Sequence, residues 1–163
     1  MEDALDFHEW ASDPRVSYYL RWNAHKEMKE TYDLLDKWIR EYEHNSYNWG
    51  VVCKSSGKLF GNISCVGMNR MDHCCEIGYC YGTTYWGQGY ATKALKAVIH
   101  YLFHDCELHV VEAKHNSLNV ASGIVMQKAG MVKEAILKDR KYNTDNNSYS
   151  DLVIYSIINT DFA

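Results

Sequence analysis

The sequence predicts a single α+β domain over residues 1–163, on three observations. Its 163 residues match the ~100–200 of one ordinary domain. Helical and strand periodicities follow one another as helices, antiparallel strands, strand, helix, strand, helix and two closing strands, the order of an α+β rather than a doubly wound fold. With 47% hydrophobic, 13% aromatic and 23% charged residues, the chain can bury a sizeable core.

The elements follow from local signals. Residues 4–12 carry apolar positions and stop at Asp13-Pro14, as a helix stops before proline. Over 25–44, Met28, Tyr32, Leu35, Ile39 and Tyr42 recur at steps of three and four, which predicts an amphipathic helix with that stripe inward. Residues 49–53 and 59–67 flank a glycine-containing turn at 54–58 and read as a hairpin; 75–81 is a third strand. A helix follows Gly89, with Ala91, Ala94, Leu95, Val98, Ile99 and Leu102 on one face. Strand 108–113 comes next, then a helix capped by Asn119 and closed at Gly130, where glycine suits the C′ position. Strands 131–137 and 149–157 complete the pattern.

Charge and composition narrow the function. A net charge of −4 argues against gripping nucleic acid or an anionic membrane through bulk charge, so an anion site has to be local. No apolar run has membrane-spanning length, and the acidic start lacks a secretory signal, so a cytoplasmic location is expected. The six cysteines then read as free thiols. His100 and His104 share a helix face near His109, but without a metalloprotease glutamate, and Cys74-Cys75 lacks ligand spacing, so no metal is expected.

The sharpest local feature is Tyr85-Trp86-Gly87-Gln88-Gly89-Tyr90-Ala91-Thr92, a small-residue loop between a strand and a helix. Backbone amides in such a loop approach a phosphate closely, and the helix N-terminus adds about half a positive charge. No acidic residue lies between Glu76 and Asp105, although the chain holds 21. A dinucleotide fingerprint fails because Thr92 stands where its third glycine belongs, and a P-loop fails for want of Gly-Lys-Ser/Thr. A turn that merely starts a helix is the competing reading.

Trp86-x-x-Gly89-x-Ala91 resembles the pyrophosphate signature of GNAT acetyltransferases, with Trp86 in the first position as in the RimJ/RimL-like branch that acetylates protein N-termini. Cys75-Glu76-Ile77-Gly78-Tyr79 is similar to that branch's preceding strand. Asn116-x-x-Asn119-x-x-Ser122 and Lys128-Ala129-Gly130-Met131 are similar to its downstream block. The resemblance implies the GNAT fold, a mixed, mostly antiparallel sheet flanked by helices. The family's usual first edge strand is missing at the start of this chain, which leaves an edge that favours pairing of two copies. It also implies acetyl-CoA as donor and an amine acceptor, a protein N-terminus or a small amine, attacking the thioester through a tetrahedral intermediate. Trp86, Gly87, Gln88, Gly89, Tyr90, Ala91 and Thr92 would hold the diphosphate; Asn116 and Asn119, and the backbone of Tyr79, Cys80 and Tyr81 on a splayed strand, would hold the pantetheine arm. By the same resemblance Glu76 is the candidate base, acting through water, and Ser122, matched by position to a serine of the RimL-like branch, is the candidate acid or thiol-binding hydroxyl; Met126 stands where many members carry a tyrosine acid.

Each role has a plain structural counterpart. Glu76 is equally readable as a strand glutamate paired with a lysine, Asn119 as a helix cap, and Ser122 as a first-turn serine bonded to local backbone. An acyl-cysteine route through Cys80 is disfavoured, because Glu76 is four strand residues away, roughly 13 Å. An α-amine with a pKa of ~7.7–8.0 is already about a tenth neutral at pH 7, against about one lysine in several thousand, so a modest base suffices for N-termini. A non-catalytic acyl-CoA-binding module and a small-amine acetyltransferase are the alternative functions.

Overall fold

The computed structural model describes residues 2–42, 47–143 and 146–161. Its elements run α1 (Ala4–Ala11), α2 (Pro14–Ser17), α3 (Met28–Tyr42), β1 (Asn48–Val52), β2 (Leu59–Asn69), β3 (Cys74–Tyr81), a 3-10 turn (Thr83–Tyr85), α4 (Tyr90–His104), β4 (Val110–Asn116), α5 (Val120–Lys128), β5 (Val132–Asn143) and β6 (Ser148–Ile158). The six strands form one mixed sheet in the order β1-β2-β3-β4-β6-β5, so the α+β expectation holds. Contacts divide the chain into two compact units, one running through residue 65 plus Tyr79–Tyr90, the other Val66–Gly78 plus the residues from Ala91 onward. Among the described residues no helix is long and apolar enough to cross a membrane.

In the first unit, Ala4, Phe7, Trp10 and Ala11 form the buried face of α1 and, with Val16 and Leu59, the centre of a core. Asp13 caps α2, accepting from the Arg15 amide at 2.9 Å, with Pro14 at the first helical position, where its missing N–H costs nothing. Helix α3 corrects the predicted stripe. Tyr32, Ile39 and Tyr42 lie 41%, 51% and 48% exposed, while Thr31, Leu34, Leu35 and Trp38 face inward. The two stripes share Leu35 and differ by one residue. Hydropathy favoured the tyrosines because it counts Thr31 as polar, yet Thr31 is fully buried with His8 Nδ1 and His25 Nδ1 each 2.8 Å from its hydroxyl. One hydroxyl carries one proton, so at least one of these histidines donates to it. Residue 25 stays outside the helix, its amide bonded to the Ala11 carbonyl at 3.0 Å, and residues 43 and 44 of the predicted helix lie outside the described residues.

The hairpin forms as expected. β1 and β2 pair antiparallel from Asn48↔Ser64 to Val52↔Leu59, and Gly57 supplies a positive φ of 72° in the turn. On β2, Gly61 lies against the Cys80 carbonyl and the Tyr81 ring; a Cβ there would meet that carbonyl oxygen at 2.6 Å.

In the second unit, β3 pairs parallel with β4 over Cys74–Ile77 and Val110–Ala113, and β4 pairs antiparallel with β6 over seven positions from Val110↔Ile158 to Asn116↔Leu152. Cys75, Ile77, Val111, Ala113, Val153 and Tyr155 alternate into the buried face. Leu95, Val98, Ile99 and Leu102 form the buried face of α4, as predicted. β4 starts later and runs further than predicted. Leu108 is buried but lies before the strand, its amide bonded to the Leu102 carbonyl at 3.0 Å. Lys114, His115 and Asn116 extend the strand, although their polarity had signalled a loop. β5 continues to Asn143 through two register shifts, one beside Asp139, where φ is +52°; such irregularities break the alternation that predicts strands. Helix α5 is capped by Asn119 and closes at Gly130, φ +98°. It approaches β4 closely: a Cβ on Gly123 would lie 2.8 Å from His115 Nε2.

Two predictions follow from packing. Gly61→Ala forces a methyl into the Cys80 backbone and is expected to cost at least about 1–3 kcal/mol, read as a lower urea midpoint with unchanged m; a midpoint equal to wild type refutes the contact. His115 donates Nδ1–H to the Asn116 carbonyl at 2.8 Å, and burial holds its pKa below the usual 6.5. His25 is lowered by burial in the same direction. The unfolded chain therefore takes up these protons first, so stability is full above pH ~6.5 and falls as pH drops through that value. The thermal midpoint is expected to decline from pH 7.5 to 5, with a shallower slope in His115→Gln; parallel slopes in the two proteins would count against His115.

Candidate functional site

The predicted site residues divide between the two units: Tyr79, Cys80, Tyr81 and residues 86–90 in the first, Glu76, Ala91, Thr92, Asn116, Asn119 and Ser122 in the second.

In the first unit the end of β3 leads through Gly82 and the 3-10 turn into the glycine bend. The Trp86 indole N–H donates to the Tyr81 carbonyl at 2.7 Å, and the Gln88 side-chain amide donates to the Thr84 carbonyl at 2.7 Å. Trp86 thus ties the bend to the strand rather than offering its N–H to a ligand. Gly87 and Gly89 have φ of 73° and 81°, a left-handed backbone that costs other residues about 1–2 kcal/mol. Nothing lies within 4 Å of a Cβ on either, so conformation rather than space requires glycine there. Among the described residues no protein group accepts from the amides of residues 87–89, which stand directly before α4, whose first turn has no acid.

Sequence reasoning missed the clasp that holds this turn. Thr83 donates its hydroxyl to Asp13 Oδ2 at 3.1 Å, and Arg15 donates to both Asp13 oxygens, Nε to Oδ1 at 3.0 Å and Nη2 to Oδ2 at 2.7 Å. These bonds, led by the Arg15 side chain, hold the Asp13 carboxyl at about 2. Thr83 and Asp13 are 70 positions apart in sequence, so no local signal links them.

Tyr81 is buried, and its hydroxyl has no partner among the described residues. Cys80 donates its thiol to Asn62 Oδ1 at 2.9 Å, Asn62 donates to Ser64 Oγ at 2.9 Å, and Ser64 in turn donates to Asn48. Burial pushes the Cys80 thiol up to about 12, so it stays protonated near neutrality, against the acyl-cysteine route.

In the second unit the ladder between β3 and β4 ends at Ile77 and Ala113, while β3 continues to Tyr81 and β4 to Asn116. Beside the last rungs, Lys114 Nζ donates to Glu76 Oε2 at 2.6 Å and lies 3.9 Å from Glu112 Oε2. Glu76 is therefore lysine-paired. Lys114 was not singled out from sequence; its signal is the alternation Val110, Glu112, Lys114 on one strand face. Asn116 Oδ1 accepts from the Leu118 amide at 2.9 Å and shapes the turn; Asn119 Oδ1 accepts from the Ser122 amide at 3.3 Å and caps α5. Both side-chain oxygens are thus engaged by local backbone. Ser122 is half-buried in the first turn of α5, one turn before Met126, which is 1% exposed. Among the described residues no three His, Cys, Asp or Glu side chains are grouped to hold a metal.

Comparison with known proteins accounts for the chain's architecture. The family model described as "Acetyltransferase (GNAT) domain" matches residues 1–132. The probable N-acetyltransferase YjcK of Bacillus subtilis is 31% identical over 158 residues, covering 96% of this chain and 83% of that protein. The ribosomal-protein-S5-alanine acetyltransferase of Vibrio fischeri shares the fold at TM-score 0.86 and 24% identity, covering 99% of this chain and 91% of the other. The spermidine N-acetyltransferase of Vibrio cholerae, solved with CoA and spermine, shares it at TM-score 0.83 and 17% identity, with 99% and 92% coverage. By the match of the family model over residues 1–132 and the 31% identical relative along nearly its whole length, the chain belongs to the GNAT acetyltransferase family.

Proposed function

We propose that this acetyl-CoA-dependent N-acetyltransferase modifies the α-amine of a protein or peptide N-terminus. One observation carries the cofactor half of the reading: Gly87 and Gly89 hold a left-handed backbone directly before α4, whose first turn has no acid, and among the described residues no backbone carbonyl accepts from the amides of residues 87–89. That is the electrostatics a diphosphate needs. Residues 86–92 hold the diphosphate, with Trp86 acting through its bond to Tyr81. The backbone of Tyr79, Cys80 and Tyr81 and the side-chain NH2 groups of Asn116 and Asn119 hold the pantetheine arm, a reading supported by the end of the β3–β4 ladder at Ile77. Bound acetyl-CoA supplies the activated acetyl group. Glu76 accepts the acceptor's proton through water, and Ser122 donates one at the leaving sulfur.

The acceptor reading rests on the chemistry of the amine. An α-amine, about a tenth neutral at pH 7, asks less of any base than an amine with a pKa near ~10.4. The S5-alanine name of one structural neighbour agrees with this choice.

Gly89→Val is expected to weaken CoA binding about tenfold or more by calorimetry, with the thermal midpoint lowered by roughly 2–8 °C and the protein still folded at 25 °C; unchanged affinity overturns the diphosphate site. Glu76→Gln is expected to lower kcat about 10²-fold and Ser122→Ala to lower it measurably, both with CoA affinity kept. Full activity in both variants removes these roles. Acetyl transfer measured against N-terminal peptides, spermidine and an aminoglycoside is expected to favour the peptides; preference for spermidine replaces the acceptor, and no transfer to any of them supports a binding module instead.

A further inference from the structure

We infer that Lys114 is a positioning residue for this reaction, fixing the orientation of the Glu76 carboxylate. The inference rests on the reading of Glu76 as base and goes beyond it, because it assigns a second side chain and a division of labour between the carboxylate's two oxygens. Lys114 Nζ donates to Oε2 at 2.6 Å, which commits that oxygen and leaves Oε1 as the proton acceptor. The ammonium is in turn steadied by Glu112 Oε2 at 3.9 Å from its own strand.

Stability does not explain the arrangement. Glu76 and Lys114 are only about a quarter exposed, 28% and 26%, and taking two charges that far out of water costs about what their attraction returns. An apolar pair would serve strand packing as well. The pair also lies where the parallel ladder ends: Glu76 occupies the next-to-last bonded rung, and Lys114 comes one residue after Ala113, the last. One further rung, Ile77↔Ala113, holds the backbone beyond Glu76, and the Glu76 side chain takes its orientation from the lysine. The remaining charged and titratable groups nearby, Glu112 and the thiol of Cys74, which burial and the charges of Asp72 and Glu112 raise, offer Glu76 no alternative cation.

A double-mutant cycle on the full chain tests this, with kcat and both KM values measured for acetyl-CoA and an N-terminal peptide. Lys114→Met is expected to lower kcat about tenfold with both KM values within about twofold, as for coupled members of one ion-pair network. Lys114→Arg, which keeps the charge and the donor, is expected to restore kcat to within about twofold. In the Glu76→Gln background Lys114→Met is expected to change kcat by less than about twofold. A tenfold loss that persists in the Glu76→Gln background, or an unchanged kcat in Lys114→Met alone, overturns the positioning role and leaves Glu76 as base. Wild-type kcat in Glu76→Gln overturns the base itself, and the inference falls with it. If Lys114→Met does not fold, Lys114→Gln takes its place in the same cycle and is judged by the same factors.

Discussion

The end of β3 is fixed by bonds that have nothing to do with the sheet, and the chemistry depends on them. A bend with two left-handed glycines is entropically loose, because glycine loses more freedom on ordering than any other residue. Here the looseness is limited from the N-terminal side. The Trp86 indole fastens the start of the bend to the Tyr81 carbonyl, and the Asp13–Arg15–Thr83 clasp fastens the 3-10 turn ahead of it to the start of α2. Within the bend, the Gln88 side-chain amide ties back to the Thr84 carbonyl. Ordering done by folding need not be done by binding, which is the physical content of preorganisation. The tryptophan at position 86, where most relatives of this signature carry glutamine or arginine, acts through its ring nitrogen on the protein itself and not as a charged side chain.

The cluster about Lys114 in the second unit follows the opposite design, with charge balanced rather than excluded. The 28 residues between Glu76 and Asp105 carry no carboxylate, while Glu76 itself is one of two carboxylates about a single lysine. The Lys114–Glu76 bond joins residues 38 positions apart and sits beside the last rungs of the β3–β4 ladder.

How much of this was legible in the sequence depended on whether the signal was local. Helix α4 and its buried face could be read directly because Leu95, Val98, Ile99 and Leu102 are apolar on one side and nothing else competes. The Asn119 cap and Gly130 stop are single-residue signals with a single physical meaning. Helix α3 was placed correctly but rotated by one residue, since a threonine satisfied by two distant histidines looks polar in isolation. The extensions of β4 and β5 were hidden by Lys114-His115-Asn116 and by the charged run through Arg140. Of the candidate site, the glycine bend was readable from its composition. Lys114, Asp13 and Thr83 were not, because their partners meet only after the chain has folded.

The proposed proton donor, Ser122, lies one turn from Met126 on the same helix face. Met126 is 1% exposed, so this position belongs to the core, and a polar group there would be buried. One turn earlier on the same face, Ser122 is half-buried rather than enclosed and sits in the first turn of α5, with Asn119 capping the amide of Ser122 itself. The first turn of a helix is also where a departing anion is favoured, because its remaining amides and the helix dipole present positive charge. On the proposed assignment, a thiolate leaving near that turn needs less from an acid than one leaving into a neutral environment. A serine, far weaker than tyrosine as an acid, is then adequate, provided the helix end supplies the electrostatic share that a tyrosine would otherwise have to cover alone.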